Sequence, residues 1–136
     1  MDKKRALRSQ LLGQMFRFAL VGGFALVINA IIVELLARVW GPYYAQFLAF
    51  PLIATMTWYL NRRYTFGASA RPVVHEWFRY IFANLLGWVA NNGVYVLFVL
   101  HVAIAYQHPS IAVAAGSLTG LAFNFVMSRV AVFRNA

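Results

Sequence analysis

The chain has 136 residues, 62% of them hydrophobic and only 11% charged, whereas a soluble domain carries roughly a quarter charged residues, so composition argues for an integral membrane protein and against a soluble globular one. Twelve Lys and Arg against three Asp and Glu, set beside long apolar runs, point to anionic lipid rather than nucleic acid as the counter-charge. Cysteine is absent, which excludes a disulfide framework, a thiol nucleophile and a Cys-based metal site.

Helical spans need about twenty mostly apolar residues to cross the hydrocarbon layer. The N-terminal 'MDKKRALRSQ' has the basic character of a signal peptide, but no small-x-small cleavage pattern follows before the apolar run reaches Val33, and it reads as the lead-in to a retained first span. Four spans are expected, approximately Phe16 to Val39, Tyr44 to Leu60, Phe78 to Val102 and Ser110 to Met127. 'WGPYY' joins the first two and 'IAYQHPS' the last two, both short links with Pro and interfacial aromatics, so the spans form two helical hairpins. Eleven of the twelve cations fall on one side, Arg38 being the exception. The positive-inside rule then puts both termini and the loop of about 67–77 in the cytoplasm.

The two hairpins echo each other. 'FRFALVGGFALVIN' from Phe16 aligns with 'FRYIFANLLGWVAN' from Phe78 at an offset of sixty-two, and 'TWYLNRRYTF' from Thr57 with 'NFVMSRVAVF' from Asn124 at sixty-seven. Because each unit holds two spans, both enter the membrane in the same sense, giving a parallel repeat of about 16–66 and about 78–133 within one membrane domain covering 1–136. The fold class expected is therefore an all-α integral membrane protein of four transmembrane helices, two parallel-repeat hairpins with N-in/C-in topology.

Polar residues inside spans face a bundle interior or a cavity. Asn84, Asn91 and Tyr95 share one face of the third span, Asn29 lies on the equivalent face of the first, and Thr57, Asn61 and Asn124 lie at or near the inner ends of the second and fourth. Such amides serve either as interhelical hydrogen bonds or as the wall of a groove. Ala112, Gly116 and Gly120 form a small-xxx-small series, read as helix packing. Glu34 precedes Arg38 by four residues; an interfacial ion pair is the plainer reading and proton coupling the bolder one. His75, His101 and His108 have no metal-ligand spacing, so no metal site is expected. With Asp2 the sole aspartate and no Gly-rich phosphate loop, no enzymatic activity and no cofactor are expected.

Each hairpin carries an arginine at the inner start of its first span, Arg17 and Arg79, and another at the inner end of its second, Arg62 and Arg129. Guanidinium groups take phosphate through two parallel hydrogen bonds. Ordinary topology charges need not recur in register, and these do. The expected site is a phosphate-capturing mouth of four arginines leading to a groove walled by Asn29, Thr57, Asn61, Asn84, Asn91 and Asn124.

'FRFALVGG', 'LNRRYTF', the echo 'SRVAVF' and the length of the chain together resemble the GtrA-like family of small bacterial membrane proteins over Phe16 to Phe133. Two positions depart from its pattern, Asn29 where members often have Asp and Thr57 where Asn is expected. The resemblance implies a flippase of the bacterial inner membrane that moves a polyprenyl-phosphate-linked monosaccharide, such as undecaprenyl-phosphate glucose, to the outer leaflet for cell-surface polysaccharide synthesis or modification. Membrane lipids and a parallel homodimer partner are expected around it. The alternative is an adaptor that recruits a membrane glycosyltransferase and moves no lipid, with its working surface in 'GASARPVVHEW' and the tails.

Overall fold

The structure, a computed structural model, describes residues 2–134. They are all-helical: α1 (Asp2–Trp40), α2 (Pro42–Leu60), α3 (Val73–His101), a short α4 (Ala103–Gln107) and α5 (Pro109–Met127). Helices α2 and α5 each run on into one turn of π-helix, Asn61–Thr65 and Ser128–Val132. The chain divides into two compact units, the first running through Val73 and the second from Val74 to Arg134.

Apolar runs become helices in lipid because every backbone N–H and C=O must find its partner within the segment. α1 begins well before the expected Phe16. Lys, Arg, Leu and Gln are good helix formers, and Gly13 alone does not break the run. A single residue, Gly41, turns α1 into α2 at φ 83°. A side chain there meets steric resistance, and Pro42 then supplies a helix-ready φ at the first position of α2. α4 is an addition that the 'IAYQHPS' link did not announce.

Among the described residues, three helices are long and apolar enough to cross a membrane: α1, α3 and α5 with its π-turn. α2 is 19 residues long and falls outside that set, where a fourth span was expected. Tyr43, Tyr44, Gln46, Trp58 and Tyr59 dilute its apolar character, and Pro51 lies inside the unbroken helix.

Small residues hold each unit together. In the first, Ala45 and Ala49 of α2 are wholly buried, and Ala25 and Phe18 are the buried residues of α1. In the second, Ala112, Gly116 and Gly120 of α5 are buried, and α3 buries Ala83 and Gly87. A Cβ on Gly116 would lie 2.6 Å from the carbonyl oxygen of Asn91, so α3 and α5 run close because position 116 has no side chain. Lipid tails are as apolar as the side chains, so close backbone approach rather than hydrophobic exclusion drives such pairing.

Candidate functional site

The end of α2 is the first element of the site. In its π-turn the Phe66 N–H reaches back to the Asn61 carbonyl at 2.9 Å, one residue further than an α-helix allows. Asn61 is 1% exposed, and its Oδ1 accepts a hydrogen bond from the Thr65 hydroxyl at 2.9 Å, which satisfies a buried amide oxygen inside the turn. Gly67, at φ 82°, then releases the chain from the helix.

α1 clasps this turn. Arg17 donates from Nη1 to the carbonyl of Tyr64 at 3.3 Å, and the Phe18 and Phe66 rings meet at 6.0 Å with a 58° tilt. The second unit has the same clasp at the same offsets of sixty-two and sixty-seven. Arg79 donates from Nη1 to the carbonyl of Ala131 at 3.0 Å, Tyr80 meets Phe133 at 6.0 Å and 60°, and the Phe133 N–H reaches the Ser128 carbonyl at 2.9 Å. Each of these arginines commits one donor of five to a carbonyl at its π-turn and keeps an exposed side chain.

Arg17 stands where two cavities of the first unit meet. One, of about 660 Å³, is polar: Ser9, Gln10, Gln14, Arg17 and Thr65 are among its lining residues. The other, of about 270 Å³, is apolar and runs along Leu20, Val21, Phe24, Leu60 and Tyr64, with Arg17 at its edge. A cationic group between a polar cleft and an apolar groove is arranged like the headgroup boundary of a lipid.

The other arginines are placed differently. Arg62 is half-buried with its guanidinium 5.9 Å from the Trp58 ring centre, a cation–π contact, while the exposed Arg63 lies 5.7 Å from the Tyr64 ring. Arg129 is half-buried in the second π-turn. Arg17 and Arg62 thus belong to the first unit, Arg79 and Arg129 to the second.

Several of the expected groove residues turn back into their own helices. Asn84 donates to the Tyr80 carbonyl at 2.9 Å and Thr57 to the Ala54 carbonyl at 3.0 Å. Asn29 is half-buried on α1. Asn91 packs against Gly116 and Gly120, and Asn124 seats its amide over Gly87. There the Asn124 Oδ1 is buried with no hydrogen-bond partner, as is the Ser128 Oγ one turn further on. Glu34 and Arg38 form an ion pair at 3.3 Å with side chains 71% and 69% exposed. Exposed pairs of this spacing contribute about 0.3–0.5 kcal/mol. Glu34→Gln is therefore expected to leave Tm in detergent within about 1 °C of the wild type, checked by thermal unfolding, and a clear drop would show a larger structural role for the pair.

Ser9, Gln10, Gln14 and Thr65 were not singled out from the sequence. Ala6, Ser9, Gln10, Gly13, Gln14 and Arg17 follow the spacing of one helix face and hold a single charge. That pattern is readable in the sequence, although the four cations of 'MDKKRALRSQ' are its more conspicuous feature. Glu76, expected within the loop of about 67–77 and the surface 'GASARPVVHEW', is instead wholly buried in the first turn of α3.

Fold and site define the class first: an all-helical membrane protein with an arginine at a polar–apolar boundary. The chain belongs to the GtrA/DPMS transmembrane-domain family, whose sequence model matches residues 17–133. Membership points to the handling of lipid-linked sugars. Neither a curated protein nor a solved structure matches it.

Proposed function

We propose that the protein is a non-catalytic carrier that moves a polyprenyl-phosphate-linked monosaccharide from the inner to the outer leaflet of the bacterial inner membrane. The observation that carries this reading is Arg17, shared by the polar cleft and the apolar groove. A phosphodiester on its guanidinium leaves the sugar in the cleft and starts the isoprenoid tail along Leu20, Phe24 and Leu60. Moving a sugar phosphate through hydrocarbon otherwise costs several kcal/mol for each polar group stripped of water. In this reading α2 crosses the membrane as a fourth span, its terminal Tyr and Trp residues taking the two interfaces, and both termini lie in the cytoplasm.

The test is the lipid retained by the purified protein. Mass spectrometry of gently solubilised material is expected to find a polyprenyl phosphate carrying one sugar, enriched over its share of the membrane. Retention of bulk phospholipid alone would overturn the proposal.

A further inference from the structure

α1 is longer than a span. Its 39 residues reach about 58 Å at 1.5 Å per residue, against roughly 30 Å of hydrocarbon. With the apolar run beginning near Phe16, the preceding turns continue as helix outside the lipid tails. On this extension Ala6, Ser9, Gln10, Gly13, Gln14 and Arg17 recur at helical spacing and form one wall of the polar cleft. Lys3, Lys4, Arg5 and Arg8 are not part of that lining, and Arg17 is its charged residue.

This wall has a definite chemical preference. Glutamine amides and serine hydroxyls are groups that both donate and accept, which matches sugar hydroxyls of the same double character. Ala6 and Gly13 keep the wall low between them. No acidic side chain lines the cleft to receive a cationic head group such as an amine. The volume, about 660 Å³, falls in the range of small-molecule sites.

The geometry points to Ser9, Gln10 and Gln14 as the residues that read the carbohydrate, on a helical arm outside the hydrocarbon rather than among the intramembrane amides. The assignment rests on the lipid-handling reading above and adds the specificity-determining residues to it. One cation neutralises the phosphate, and the uncharged stripe beside it bonds the hydroxyls.

The experiment compares two probes on detergent-solubilised full-length protein: a polyprenyl-phosphate-linked hexose and the same polyprenyl phosphate without sugar. The wild-type protein is expected to bind the hexose form more tightly. In the Gln10→Met, Gln14→Met double variant, binding of the hexose form should weaken about tenfold, as for loss of two or more hydrogen bonds, while the bare lipid changes less than about twofold. Unchanged hexose binding, or equal loss for both probes at an unaltered Tm, overturns the assignment. Should the double variant lower Tm, Ser9→Ala, which places a stronger helix former at an exposed position, carries the same comparison. A wild-type protein that binds both probes equally sinks the sugar-reading stripe and leaves lipid handling standing. One that binds neither sinks the lipid-handling reading and this assignment with it.

Discussion

Arg17→Ala is expected to slow head-group translocation in reconstituted vesicles by at least about tenfold, because a charge-assisted hydrogen bond to phosphate contributes roughly 1.5–3 kcal/mol. The side chain also donates to the Tyr64 carbonyl, so its removal loosens the first π-turn by about 1 kcal/mol. Two comparisons separate these effects. Arg79→Ala removes the corresponding hydrogen bond to the Ala131 carbonyl in the second unit and gauges what the clasp alone contributes. Arg17→Lys keeps the charge but loses the planar fork, so it should recover part of the rate and not all of it. Raising salt should weaken capture in the wild type, since an exposed charge is screened over about 8 Å at physiological ionic strength. Equal losses from Arg17→Ala and Arg79→Ala would transfer the effect from the cleft to the clasp.

Gly116→Ala carries the largest expected loss of stability. Its new Cβ meets the Asn91 carbonyl oxygen at 2.6 Å and the Asn91 Oδ1 at 2.7 Å. The first of these is backbone and cannot swing aside, so α3 and α5 must separate. Overpacking of this kind costs about 1–3 kcal/mol. Gly93→Ala is the control: beyond its own helix backbone nothing lies within 4 Å of its Cβ, and the change replaces the flexible residue with the best helix former. Thermal unfolding in detergent should thus show a drop in Tm for the first and no drop for the second. Gly87→Ala is an intermediate case, because the atom its Cβ meets belongs to the Asn124 side chain. Combining it with Asn124→Ala is expected to remove most of the penalty, the behaviour of two residues in direct contact. A drop of the same size at Gly93 as at Gly116 would show that helix propensity, not interhelical approach, sets the response.

The arginine offsets and the intramembrane amides differ in how legible they were. Arg17 and Arg79 stand sixty-two apart, and the carbonyls they reach, those of Tyr64 and Ala131, stand sixty-seven apart. Both intervals are visible in the alignment of the two hairpins, although nothing in it indicates a backbone acceptor. The amides are harder to read. Asn84 and Thr57 have the spacing of groove residues, yet each bonds a carbonyl of its own helix, an option that short polar side chains always have and that no spacing reveals.

The sequence by itself determined that this is a helical membrane protein of the GtrA-like kind, close to where its helices run, and which arginines occupy matching positions. The helical membrane class follows from composition and from local hydrogen bonding, since a chain in hydrocarbon has to satisfy its backbone within the segment, whereas the family and the arginine positions rest on the resemblance of quoted motifs and on the aligned hairpins. Only the tertiary structure decided that α2 and α5 end in π-turns, that Arg17 and Arg79 clasp them, and that a polar cleft lies against the extension of α1. Arg17 and Tyr64 are 47 residues apart. Their meeting depends on how closely two helices approach, which small residues such as Ala25, Ala45 and Ala49 permit and which periodicity alone cannot express.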